Sequence, residues 1–134
     1  MSTEAVILET GPAPKGYANG RIGRGPVLHI AGQVGWNEQG VFDAKDLVGQ
    51  FAQALTNVHN VLRAAYGRTT DIAEMTIYVT DIEAYRAARK QLGPIWREHM
   101  QHHFPAMALV AVTALVEPEA LVEIQAVAYL EHPE

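Results

Sequence analysis

The sequence predicts an α+β fold in which two helices cover one face of a six-stranded mixed sheet. Three observations lead there. Residues 46–66 carry apolar side chains at 3-to-4-residue spacing, and residues 81–99 do so again. Around these two segments lie short runs that alternate apolar and polar side chains, bounded by glycine and proline. In chain order the elements read β-β-β-α-β-α-β-β. A length of 134 residues suits a single domain, 1–134, with room for a hydrophobic core.

The first strand is expected at Val6-Ile7-Leu8, before the break at Gly11-Pro12-Ala13-Pro14. Asn19-Gly20, flanked by Tyr17-Ala18 and Arg21-Ile22, is a hairpin signal, because a tight primed turn needs positive φ at both central residues. Gly25-Pro26 is a second turn. Val27 to Ala31 is a strand that continues through Gly32-Gln33-Val34-Gly35. Gly23 and Gly25 do not make a phosphate loop, since no GxGxxG and no strand-to-helix step accompanies them.

The first helix places Leu47, Phe51, Leu55, Val58, Leu62 and Tyr66 on one stripe. Asp43 and Asp46 suit its N-terminal dipole end, and Gly67 is placed for a left-handed cap. In Glu74 to Thr80, Met75, Ile77 and Val79 face one way and Glu74, Thr76 and Tyr78 the other, the pattern of a half-buried strand. Thr80-Asp81-Ile82-Glu83 reads as a capping box for the second helix. Gly93-Pro94 predicts a kink or a restart within it. Phe104 to Leu130 reads as two strands joined by a turn at Glu117-Pro118-Glu119.

Composition narrows the function. A net charge of −5 with no Lys/Arg run argues against nucleic acid and anionic membranes as partners. The absence of cysteine excludes disulfides, thiol catalysis and zinc-thiolate sites, and fits a reducing compartment. No signal peptide or membrane helix is expected, so a cytoplasmic location is. His99, His102 and His103 lack an HExxH arrangement and a third ligand, so they read as a solvated helix end and no metal is expected.

The last two strands predict self-association. Val122, Ile124, Ala126, Ala128 and Leu130 share the face that packs under the helices. In the preceding strand, Ala108, Val110 and Val112 are assigned to that face, which leaves Met107, Leu109 and Ala111 facing away, although they too are apolar. A strand apolar on both faces is buried on both, and two helices cover only one. A second copy of the chain would bury the other. Glu123 then stands near that interface as a lone carboxylate.

Several short stretches, in order, resemble the Rid family (reactive intermediate deaminases, YjgF-like). They are Lys15-Gly16-Tyr17-Ala18-Asn19-Gly20, Ala31-Gly32-Gln33, Leu55-Thr56-Asn57-Val58, Thr76-Ile77-Tyr78-Val79-Thr80-Asp81, Phe104-Pro105-Ala106 and Val122-Glu123-Ile124-Gln125-Ala126. The resemblance implies a chorismate-mutase-like fold and a homotrimer with three clefts between subunits. It also implies hydrolysis of enamine or imine acids, such as 2-aminoacrylate, to a keto acid and ammonia, without a metal or organic cofactor.

By the same resemblance, Glu123 matches the carboxylate that holds the water, and Tyr17 and Gly32 line the cleft. Three positions depart from the pattern. Met107 stands where the family's arginine would grip the substrate carboxylate. Ala31 replaces a serine, and Arg89 falls where a small polar residue is usual. A charge-assisted hydrogen bond in a desolvated cleft contributes about 1.5–3 kcal/mol, so the loss at position 107 argues against 2-aminoacrylate as the substrate. Arg89 has two readings. The plainer is a solvated helix face or a salt bridge to Glu83 or Asp81; the other is a relocated cation for a different acid. Two functions follow: a deaminase-type hydrolase for another imine or enamine acid, or a non-catalytic trimer that binds a small metabolite.

Overall fold

The protein is described here from a computed structural model, over residues 2–131. Six strands and two long helices form, in the order read from the sequence. The strands are β1 (Thr3–Val6), β2 (Gly20–Gly23), β3 (Val27–Val34), β4 (Ile72–Val79), β5 (Ala106–Ala111) and β6 (Val122–Tyr129). The helices are α1 (Leu47–Ala64) and α2 (Ile82–Met100). Hydrogen bonding divides the strands into a four-stranded mixed sheet, ordered β3-β6-β4-β5, and a β1-β2 ribbon. Ala18 bridges Ala106 beyond the ribbon and so guards part of the β5 edge.

Both helices lie on one face of the larger sheet. Leu55, Val58, Leu62, Met75, Ile77, Val122, Ile124 and Ala128 form the centre of that core and are almost wholly buried. Gln50, at 1% exposure, is the main polar group inside it. Its amide donates to the carbonyls of Ala44 and Glu119, and its oxygen accepts from the Leu121 N–H at 2.8 Å. Asn57 donates to the Val34 and Trp36 carbonyls, both at 2.8 Å, and so ties α1 to the end of β3.

Several local expectations are corrected. The first strand precedes Ile7, because Thr3–Val6 pairs with Gly20–Gly23. Asn19-Gly20 therefore makes no tight hairpin; Gly20 is itself a ladder residue. In α1, Asp46 is the N-cap, accepting from the Gly49 N–H at 3.1 Å. The C-terminal left-handed residue is Tyr66 (φ 61°), one earlier than expected. The Gly67 N–H reaches the Leu62 carbonyl and the Tyr66 N–H reaches that of Arg63, the paired bonds of a Schellman end. Tyr66 thus leaves the apolar stripe and is 67% exposed.

The cap of α2 is Asp81, which accepts from the Glu83 and Ala84 N–H groups, so the capping box anchored on Thr80 is not the device used. The helix runs through Pro94 without a restart. Packing of Ala88, Leu92 and Met100 in the core holds both halves in line.

The largest correction concerns the closing stretch. β5 and β6 are not a hairpin. β4 lies between them, parallel to β5 and antiparallel to β6. The β4–β5 register sets Met107 opposite Met75 and Leu109 opposite Ile77, which puts both on the helix face. Ala108 and Val110 pair with Thr76 and Tyr78 on the open face, the reverse of the expected assignment. A strand apolar on both sides carries no phase of its own; its neighbour supplies it.

Candidate functional site

The residues singled out in the sequence gather at two places. The first is a cavity of about 470 Å³ on the helix side of the β5 edge. Tyr17, Arg89 and Met107 line it together. Tyr17 arrives there because the Ala18 N–H donates to the Pro105 carbonyl at 2.9 Å, which pins the loop against the start of β5. Met107 forms part of the wall through its place on the helix face of β5. Arg89 comes from α2, where Leu92 packs inward and Arg89 stays exposed.

The walls are largely aromatic. Trp96 and Phe104 stack with centroids 6.1 Å apart and planes 6° from parallel. The indole N–H of Trp96 is fully buried and has no acceptor among the described residues. The charged lining has one sign. Lys15, Arg89 and Arg97 contribute cations, and among the described residues no Asp or Glu lines the cavity.

Arg89 is not salt-bridged to Glu83 or Asp81. Glu83 pairs with Arg86 at 2.5 Å, and Asp81 is spent on the helix cap. The only bond Arg89 makes among the described residues runs from Nε to the Arg86 carbonyl, at a long 3.4 Å. Most of its guanidinium donors therefore remain available to a ligand.

The second place is the corner where β3 meets β6 on the open face. β3 bulges between Ile30 and Gln33, so Ala31 and Gly32 together stand opposite Gln125. Glu123 projects over this bulge. A Cβ on Gly32 would lie 2.3 Å from Glu123 Oε2, so glycine is what allows the carboxylate to rest there. Glu123 pairs across the ladder with Val34 and Tyr78. Its carboxylate is half-buried and has no hydrogen-bond donor among the described residues. Trp36, beyond the bulge, packs on Phe42 at 5.9 Å in a small second core with Val34 and Ala120.

Within one chain these two places do not meet. Glu123 pairs with Tyr78, which pairs with Val110, three residues from Met107 on β5. Glu123 and Met107 thus sit two strands apart on opposite faces of the sheet. Ala31, Gly32 and Glu123 form one group; Tyr17, Arg89 and Met107 form the other.

His99 and His103 are structural participants. His103 is buried and donates from Nε2 to the Ile72 carbonyl at 2.7 Å. His99 Nδ1 donates to the Ile95 carbonyl, and its Nε2 lies 2.9 Å from Thr56 Oγ1. A solvated helix end therefore describes only His102, which is exposed and lines the cavity. Among the described residues no three His, Cys, Asp or Glu side chains gather as metal ligands would. No helix there is long and apolar enough to cross a membrane.

The family described as endoribonuclease L-PSP matches residues 9–130. The chain belongs to this family. Rid, RutC and YjgF are the names carried by its relatives. A RutC family protein of Pyrococcus horikoshii is 30% identical over 96% of this chain and 98% of its own length. An Escherichia coli protein named 2-iminobutanoate/2-iminopropanoate deaminase is 28% identical over 94% of this chain and 97% of its own. Among solved structures, the Rid family protein YyfB of Yersinia pestis superposes with a TM-score of 0.82 at 32% identity, covering 97% of this chain and all of the other. The Escherichia coli YjgF gene product gives 0.69 at 28% identity, over 96% and 99%. The Rid fold, two helices on a mixed sheet, is thus the fold of this protein.

Sequence reasoning missed Arg97 and Lys15 as cavity cations. The signal for Arg97 was present: Arg89, Gly93 and Arg97 recur at four-residue steps along one side of a helix.

Proposed function

We propose that this Rid protein is a hydrolytic deaminase for an imine or enamine acid other than 2-aminoacrylate, working as a homotrimer in the cytoplasm. The cavity would hold the substrate, with Arg89 on a carboxylate and Tyr17 and Met107 shaping the wall. Glu123, above Gly32 and beside Ala31, would hold and help deprotonate the attacking water. Water adds to the imine carbon, a proton passes to nitrogen, and ammonia leaves as the carbonyl forms. No metal or organic cofactor is invoked.

The observation that carries this reading is that Arg89 lines the cavity with no carboxylate partner among the described residues. A guanidinium left free beside a pocket without acidic groups is a ready anion grip. The separation of Glu123 from the cavity within one chain supports the trimer, because a neighbouring copy can bring its Glu123 to the first copy's cavity. The open sheet face also favours burial by a neighbour, since Val27, Val110, Val127 and Tyr129 share it. The relatives named as deaminases support the reaction class.

The decisive assay is ammonia release from imine acids generated in solution. Glu123→Gln should lower turnover by about 100-fold or more while leaving ligand binding intact. An unchanged rate would sink the role of Glu123. A mass in solution other than that of three chains would sink the trimer.

Met107 and the isolation of Glu123 within one chain favour a second reading, a non-catalytic trimer that binds a small metabolite. Ligands that raise the melting temperature without any turnover, in a panel of imine acids, would decide for it.

A further inference from the structure

The cavity carries more positive charge than a single carboxylate needs. Arg89 and Arg97 lie eight residues apart on α2, about 12 Å along the helix axis. Side chains on a helix lean toward its N-terminus. Arg97 does so here: its Nη1 lies 3.5 Å from where a Cβ on Gly93 would be. It has folded back over Gly93, one turn closer to Arg89, and the missing side chain at 93 leaves the space it enters. Arg89 leans the same way, its Nε on the Arg86 carbonyl, so the two guanidiniums stay spaced along one wall of the cavity. Among the described residues neither has an acidic partner, and neither does Lys15 at the mouth. Cations that share a partly enclosed, aromatic-walled site attract anions into it. The described residues supply none.

The geometry points to an organic acid bearing two carboxylates as the ligand of this cavity, held by Arg89 and Arg97 over the Gly93 notch. The proposal rests on the reading of Arg89 as the substrate grip and adds Arg97 as a specificity-determining residue. One carboxylate takes the fork of Arg89. The second takes Arg97, whose five N–H donors make no hydrogen bond within the described residues. The apolar body between them lies against the Trp96–Phe104 stack and Met107. Its two negative charges match the two guanidiniums. A cavity of about 470 Å³ has room for a chain longer than three carbons.

The discriminating probes are adipate and hexanoate, six-carbon acids with two carboxylates and one, titrated calorimetrically into the full-length protein. The native protein should bind adipate at least about tenfold more tightly than hexanoate. Arg97→Gln should remove that preference, weakening adipate by about 10- to 100-fold while changing hexanoate little. Arg89→Gln should weaken both. Both side chains are exposed, so the variants are expected to fold, and a circular-dichroism melt at the native midpoint checks it. A second variant, Gly93→Leu, fills the notch and should also weaken adipate more than hexanoate. Equal affinity of the native protein for the two acids, or an unchanged preference in Arg97→Gln, overturns the proposal. Binding alone is read here, so the outcome does not depend on turnover. Loss of the preference in Arg97→Gln, together with no ammonia release by the native protein from any imine acid, would keep the clamp and remove the deaminase reading.

Discussion

The cavity beside α2 and the corner around Glu123 are built by different means. In the cavity, exposed basic side chains on a helix meet an aromatic wall, and nothing among the described residues neutralises them. At the corner, one carboxylate is fixed by backbone: a bulge in β3, a glycine with no room for a Cβ, and a ladder partner on either side. The contrast teaches a division of labour. Charges on helix surfaces can be exchanged without disturbing the core. The carboxylate at the corner depends on the sheet itself and cannot be moved without remaking it. Arg89 and Arg97, without acidic partners among the described residues of α2 and the cavity, fit that asymmetry.

The largest expected effect breaks the frame of the corner alone. Gln50→Leu would leave the Leu121 N–H and the carbonyls of Ala44 and Glu119 without their partner, next to the start of β6. We expect a loss of about 3 kcal/mol, read from the urea midpoint. The loosening should be felt at Glu123 before the cavity. A drop of less than about 0.5 kcal/mol would mean that water replaces the amide.

Next comes Gly32→Ala, which intrudes on Glu123 directly. The obstacle is the end of a flexible side chain, so the fold should survive with less than about 1 kcal/mol lost. The carboxylate must turn aside, and turnover of the proposed substrate should fall about tenfold or more while ligand affinity stays at the native value. Equal losses in affinity and turnover would show that the two places are not separate.

Tyr66→Gly serves as a control remote from both. Tyr66 occupies the left-handed region at an exposed Schellman end, which costs an ordinary residue about 1 kcal/mol. The glycine variant should be more stable by roughly that amount, with unchanged ligand binding. A destabilised variant would show that the tyrosine packs more than its exposure implies.

The smallest effect is on pH dependence. Burial holds His59 below the usual histidine value, with His99 and Arg63 acting in the same direction against its bond to the Leu55 carbonyl. His103 is lowered too, by burial first and by Arg21. A histidine depressed in the folded state leaves the unfolded chain to take up protons first. Stability should therefore be complete above about pH 6.5 and decline as pH falls below it. Urea midpoints at about pH 7.5 and 5.5 test this, and His59→Gln should flatten the difference.

Much of the fold was legible. The stripe of α1, the alternation of β4 and the single apolar face of β6 each fix which side chains go inward, because burial on one side only gives the pattern a phase. The element order and the Rid resemblance followed from the same local signals. Turn chemistry was less dependable. Asn19-Gly20 favours a hairpin, but pairing with β1 claimed Gly20. Gly67 favours a left-handed cap, yet close packing requires it: a Cβ there would meet Leu62 at 2.5 Å.

By itself the sequence determined the elements, the core faces of α1, β4 and β6, and the residue types available for chemistry. Tertiary structure decided how those residues were grouped. It placed β4 between β5 and β6, turned Met107 to the helix face, and set Tyr17 and Arg89 beside it. It folded Arg97 over Gly93 and seated Glu123 on the β3 bulge. The physical reason is range. Periodicity and capping act over a few residues, whereas strand order, register and the meeting of unpaired charges depend on segments far apart in the chain, which only the packed core brings together.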